Sequence, residues 1–146
     1  MIDLAQAEAD SLLALPKRRT DTTPYRLPPH RGRLTIPLED LAGREFFILD
    51  LSRGGISLER RTYQTRARQT VILARLDFNA PHRNPDGEEV GVPHLHIYRE
   101  GFADKWAMPV PADRFPNIGD PREALFDFMR YCTIVEPPHI ERELLP

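Results

Sequence analysis

Five segments between Arg44 and Val110 alternate apolar and polar residues with a period of two, and this pattern constrains the fold more than any other feature of the sequence. The segments are rich in β-branched, aromatic and aliphatic residues, and turn-forming residues separate them. Because successive strands usually pair with their neighbours, the pattern predicts a mainly antiparallel meander sheet of about five strands. The predicted strands are 44–51, 55–64, 69–78, 93–99 and 105–110.

One predicted helix stands at each end of this sheet. Residues 1–16 place apolar side chains at helical spacing, and Pro16 ends the pattern. A second helix is predicted over 120–134, because Asp120 is a suitable N-cap and is followed by a proline at the first helical position and by the capping-box acid Glu123. With both helices packed on one face, the predicted fold class is α+β, and the opposite face of the sheet is left for function.

The chain is predicted to form a single domain over residues 1–146, since this length suffices for one hydrophobic core. Residues 17–43 combine prolines with several basic side chains and are predicted as an extended basic loop. Residues 44–111 contain the predicted sheet, and 135–146 are predicted to form a tail.

Charge and cysteine content exclude several classes of protein. The formal net charge of -2 excludes a globally basic nucleic-acid binder. The single cysteine, Cys132, excludes an intrachain disulfide, a CxxC redox pair and a thiolate zinc site.

No apolar segment approaches the roughly 20 residues that span a bilayer, and the acidic start of the sequence lacks the features of a signal peptide. We therefore expect a cytoplasmic protein, and the sequence indicates no cofactor.

Polar side chains of two neighbouring strands share the predicted open face of the sheet. Alternation in 69–78 places Val71 and Leu73 in the outward row and Ile72 in the row that faces the helices. If this strand pairs with 93–99, their outward rows lie side by side. The resulting predicted catalytic row consists of Arg75, Asp77, His94, His96, Tyr98 and Glu100.

A second set, the predicted basic group, lies in the strand and loops around this row. Guanidinium groups make planar, bidentate contacts with phosphate, and tyrosine stacks on nucleic-acid bases. This combination predicts nucleic-acid binding, with RNA as the first candidate. The predicted basic group consists of Arg60, Arg61, Tyr63, Arg66, Arg68, His82 and Arg83.

Together, the two sets favour a metal-independent, toxin-like ribonuclease. His94 or His96 would remove the ribose 2′-OH proton, its neighbour or Tyr98 would protonate the leaving oxygen, and an arginine would stabilise the phosphorane. Histidine suits both roles because its ordinary pKa lies near neutral pH. In outline, a small helix-backed sheet resembles the RelE-like and barnase-like toxin ribonucleases.

Two alternatives use the same residues. His94 and His96, two positions apart on a strand, can bind one metal ion, with Glu100, Asp77 or His82 completing the set. The segment from His94 to Glu100 resembles the first cupin motif. The other alternative is a non-enzymatic binding protein, such as a phage or mobile-element inhibitor or a toxin–antitoxin partner. Its partner would be RNA or a protein, and a homodimer or a complex with the product of a neighbouring gene fits this hypothesis.

Four motifs resemble an uncharacterised bacterial family of unknown function. They are TYQTR (62–66), PHRNPDGEE (81–89), HLHIYREG (94–101) and DFMRYC (127–132). The resemblance implies a bacterial origin and a single domain, and it implies no activity.

Overall fold

An eight-stranded mixed sheet, with strands in the order β10-β9-β6-β5-β4-β3-β1-β11, organises the fold. The computed structural model describes residues 3–29, 31–54 and 60–141. Its helices are α1 (Gln6–Ala14) and α2 (Pro121–Tyr131). Its strands are β1 (Lys17–Arg19), β2 (Pro24–Arg26), β3 (Arg33–Asp40), β4 (Phe46–Arg53), β5 (Arg61–Ala67), β6 (Val71–Asp77), β7 (His82–Arg83), β8 (Glu89–Val90), β9 (His94–Ile97), β10 (Ala107–Pro109), β11 (Ile134–Glu136) and β12 (His139–Glu141).

The predicted fold class is wrong, because the protein is mostly β, with 41% strand and 15% helix. Strands β4, β5, β6, β9 and β10 do lie next to one another and pair antiparallel. They form only part of a larger sheet, in which β1 pairs with β11 in parallel. The first residues of the predicted strand 55–64 lie outside the described residues.

The additional strands come from segments predicted as the basic loop and the tail. Residues 17–43 contain β1, β2 and β3, and β11 and β12 follow α2. Proline suggested a loop here, yet Pro37 lies inside β3. Proline lacks the backbone N–H that a strand uses to pair with its neighbour. Here that N–H is not needed, because β1 pairs with β3 only from Leu38 to Asp40 and Pro37 lies just before this pairing.

One face of the sheet carries the hydrophobic core. Buried side chains of β3, β4, β5, β6 and β9 join those of both helices in one cluster. A register shift in the β5–β6 pairing places an extra residue, Leu73, in β6, so that Val71 and Leu73 are buried in this core together with Ala74. The prediction that Val71 and Leu73 share a face with Arg75 is therefore wrong, whereas Arg75 and Asp77 do lie on the open face.

Lys17 connects the ends of both helices inside this core. Its side chain is fully buried, and its ammonium group donates hydrogen bonds to the carbonyls of Leu13, Leu15 and Cys132 at 2.9, 2.9 and 2.8 Å. These carbonyls end α1 and α2, where backbone acceptors have no partner within the helix and where a positive charge is favourable. The ammonium also lies 4.6 Å from the centre of the Phe47 ring.

The predicted second helix is confirmed as α2. The Asp120 carboxylate accepts hydrogen bonds from the N–H groups of Arg122 and Glu123 at 3.0 and 3.2 Å, as an N-cap does. In the described part of the chain, neither helix has the length and apolar character needed to cross a membrane.

Candidate metal centre

Strands β6 and β9 bring four residues of the predicted catalytic row together. Their antiparallel register places Arg75 opposite His96 and Asp77 opposite His94. All four lie on the face of the sheet opposite the helices, as the alternation predicts. His94 and His96 are each only 1% exposed, so this part of the face is covered.

Backbone carbonyls fix the orientation of both histidines. Nδ1 of His94 lies 3.0 Å from the carbonyl of Gly91, and Nδ1 of His96 lies 2.7 Å from the carbonyl of Asp104. A carbonyl only accepts, so each Nδ1 carries a proton, and in the neutral form of each ring Nε2 has a lone pair. Nε2 of His94 is buried and has no hydrogen-bond partner among the described residues.

Asp77 completes this group with an equally well-oriented carboxylate. One oxygen, Oδ1, accepts the N–H of Asn79 at 2.8 Å, and the other, Oδ2, lies 3.7 Å from Nε2 of His94. Donor atoms of Asp77, His94 and His96 all lie within 4.8 Å of one another. Two ligands of one tetrahedral zinc ion lie roughly 3.3–3.5 Å apart. A small contraction of this set, the Asp–His–His cluster, is therefore enough to bind an ion.

Arg75 lies against the cluster and contacts the ring nitrogens of His96. Its guanidinium forms an ion pair with Asp104, and Nη2 lies 3.3 and 3.5 Å from Nε2 and Nδ1 of His96. A guanidinium only donates, so a metal ion at Nε2 of His96 would displace this contact. Burial, and then the positive charge of Arg75, lower the pKa of His96 to about 4. His96 is therefore neutral at physiological pH, which is the form that binds metals.

The β7–β8 ribbon, residues 82–90, carries a third histidine to the cluster. The ring centre of His82 lies 4.6 Å from that of His96 and 5.8 Å from that of His94. Asn84 attaches the ribbon to β10, because its side-chain amide donates to the carbonyl of Ala107 at 2.9 Å and accepts the N–H of Ala107 at 2.8 Å. His82, predicted as a nucleic-acid contact, therefore lies beside the predicted catalytic row.

Tyr98 and Glu100 do not belong to this site, so their placement in the predicted catalytic row is wrong. Strand β9 ends at Ile97, and the alternation of faces does not continue beyond it. The Tyr98 hydroxyl is hydrogen-bonded to the backbone N–H of Leu4 at 2.7 Å, within the core. Glu100 accepts the backbone N–H of Gln6 at 2.7 Å. Both residues hold the start of α1, and Glu100 cannot complete a cupin-like set here.

The predicted basic group is dispersed rather than assembled into one surface. Tyr63 is buried in the core, and burial raises its pKa. Arg61 is also buried, 3.8 Å from the centre of the Phe78 ring. Three further members form ion pairs, and Arg60 is exposed. Those ion pairs join Arg66 to Asp50 at 2.6 Å, Arg68 to Glu8 at 2.7 Å and Arg83 to Glu89 at 3.5 Å.

Sequence reasoning missed two residues that orient the cluster. Asp104 and Asn79 lie in loops, and their contacts depend on how those loops fold back. A signal was present only for Asn79, since asparagine and aspartate two residues apart at a strand end often form a local turn.

The fold and the site define a mostly-β protein with an Asp–His–His cluster, of which both histidines are buried, on the face of its main sheet opposite the helices. The chain belongs to a family of unknown function, DUF6978, whose family model matches residues 4–134 and so includes the whole cluster. This confirms the family resemblance predicted from the four motifs. Comparisons with curated proteins and with solved structures give no match.

Proposed function

We propose that this protein binds one divalent transition-metal ion through Asp77, His94 and His96, with zinc as the first candidate. One observation carries the proposal: the buried Nε2 of His94 has no hydrogen-bond partner among the described residues and lies 3.7 Å from Oδ2 of Asp77, and His94 belongs to a group of three residues whose donor atoms lie within 4.8 Å of one another. Leaving a buried polar atom without a partner costs about 1–3 kcal/mol, and a metal ion would remove that cost.

The donor set fits a transition metal better than magnesium or calcium. Two imidazoles and a carboxylate are suited to zinc or iron, whereas magnesium and calcium prefer oxygen ligands. The partners of Nδ1 and Oδ1 also match the usual arrangement around metal ligands, in which a second group fixes each ligand's orientation. Cys132 is not part of the set, since it is buried in the core and its thiol contacts the Thr65 hydroxyl.

Zinc stoichiometry tests the proposal directly. Purified protein is loaded with zinc, dialysed against metal-free buffer and examined by elemental analysis. We expect about one zinc per chain in the wild type and none in a His94→Gln, His96→Gln double variant. A matched His139→Gln variant, which alters an exposed histidine in β12, should retain the zinc. Wild-type protein without zinc, or equal zinc in all three proteins, would refute the metal site.

The ribonuclease hypothesis remains a prediction and ranks second. General acid–base catalysis needs the histidines within hydrogen-bond reach of the ribose, but both are 1% exposed and lie beneath the β7–β8 ribbon. RNA cleavage that persists in chelator and disappears in the double variant would favour it over the metal proposal. RNA or protein partners and a cytoplasmic location likewise remain predictions.

A further inference from the structure

We propose that His82 is the fourth ligand of this ion, so that the site is a closed zinc centre that fastens the β7–β8 ribbon to the sheet. This inference rests on the proposed metal site and adds to it a ligand, a preferred metal and a structural role. It would place the protein among those that use zinc for stability rather than for catalysis, because four protein ligands leave no position for a substrate.

Ring distances support a shared ion. Two imidazoles bound to one tetrahedral zinc ion have ring centres about 5 Å apart, given Zn–N bonds of about 2.0–2.1 Å. The three pairs among His82, His94 and His96 have ring centres 4.6, 4.9 and 5.8 Å apart. All three distances lie within about 1 Å of the value for a common ion.

The hydrogen bond of His82 leaves it ready to bind. Its Nε2 lies 2.7 Å from the carbonyl of Lys105, which only accepts, so Nε2 carries a proton and, in the neutral form of the ring, Nδ1 has the lone pair. His82, His94 and His96 thus each donate one ring N–H to a backbone carbonyl. This is the arrangement in which the second nitrogen of each ring binds a metal.

Binding requires a small movement of the ribbon. His82 is not among the residues whose donor atoms lie within 4.8 Å of one another, so its ring must shift towards the ion. His82 is only half-buried and lies on a strand of two residues, whereas His94 and His96 lie inside the main sheet. Zinc is therefore expected to draw the ribbon inward while β6 and β9 stay in place.

Cobalt substitution measures the number of ligands around the ion, counting both protein groups and water. Co²⁺ replaces zinc in such sites, and its visible absorption bands are several-fold more intense in four-coordinate sites than in five- or six-coordinate ones. The wild-type protein is titrated with Co²⁺, and intense four-coordinate bands are expected at one equivalent. Weak bands from bound Co²⁺ would overturn the fourth ligand while leaving the three-residue site intact. Failure to bind Co²⁺ at all would overturn both proposals.

A His82→Ala variant identifies the fourth ligand. We expect this variant to bind Co²⁺ with at least tenfold weaker affinity and with bands shifted in position, because water replaces an imidazole in the fourth position. An Arg83→Ala variant, which alters an exposed neighbour on the same ribbon, should keep the wild-type spectrum. Bands unchanged in position and intensity, together with unchanged affinity, would exclude His82 as a ligand, even though Asp77, His94 and His96 would still hold the ion.

Discussion

Replacing Lys17 with methionine is expected to lower the free energy of unfolding by about 3 kcal/mol and the melting temperature by about 10 °C. Lys17 is fully buried, and its ammonium group binds the last carbonyls of α1 and α2. Methionine fills a similar volume but donates no hydrogen bond. The substitution therefore separates the effect of the three bonds from that of packing.

Two opposing terms determine the size of this effect. Three hydrogen bonds from a charged donor contribute roughly 1.5–3 kcal/mol each. Burial lowers the pKa of Lys17 from 10.5 to about 8, which corresponds to a cost of about 3 kcal/mol for keeping the charge inside. The bonds outweigh the charge penalty, so the variant is destabilised. Urea unfolding at pH 7 measures the difference.

Lys105→Met is the matched control, because Lys105 is exposed and is the only other lysine in the sequence. We expect it to change stability by less than about 0.5 kcal/mol. A Lys17→Met protein as stable as the control would show that the ammonium group does not hold the helix ends.

The pH dependence of unfolding provides a second readout for Lys17. Between pH 8 and 10.5 the unfolded chain binds more protons than the folded one, so the charge penalty is relieved as pH rises. From pH 7 to pH 9 this should add about 1 kcal/mol to the stability of the wild type relative to Lys17→Met. Measurements stop at pH 9 because of Cys132. Burial raises the pKa of this thiol from 9.0 to about 11, so above pH 9 its deprotonation in the unfolded chain lowers the stability of the fold.

Zinc is expected to raise the melting temperature of the wild-type protein by about 10 °C when the free metal is a hundredfold above its dissociation constant. An ion that binds only the folded state stabilises it by about 2.7 kcal/mol at that concentration, and a domain of this size gains a few degrees for each kcal/mol. EDTA should reverse the shift. Thermal unfolding followed by circular dichroism measures it.

An Asp77→Asn variant should lose most of this shift. Asparagine retains the shape of aspartate but lacks its charge, so the affinity for zinc should fall at least tenfold. Asp113→Asn, on an exposed loop, is the matched control and should keep the full shift. If Asp77→Asn and Asp113→Asn respond to zinc equally, then Asp77 is not a ligand.

The sequence predicted the central part of the sheet because local rules apply there. Arg75 and Asp77 alternate with apolar residues, His94 and His96 do the same, and pairing of sequential strands places these residues side by side. Helix α2 was also predictable, since Asp120 supplies a strong N-terminal signal.

Prediction failed where a residue's position depends on distant parts of the chain. Strands β1 and β11 form because Lys17 and Ile134 meet in a parallel pair, and neither segment is long enough to show alternation alone. Tyr98 departs from the expected face because β9 ends and the chain turns towards α1. His82 reaches the cluster through the folding of its ribbon, which strand periodicity does not describe.

The most direct test of the metal centre is a crystal structure of the zinc-loaded protein with anomalous diffraction recorded on both sides of the zinc absorption edge. We predict one strong zinc-specific peak within about 2.2 Å of Oδ2 of Asp77 and Nε2 of His94 and His96, with His82 drawn towards it. A map without such a peak between β6 and β9, from crystals whose protein contains zinc elsewhere, would contradict the assignment.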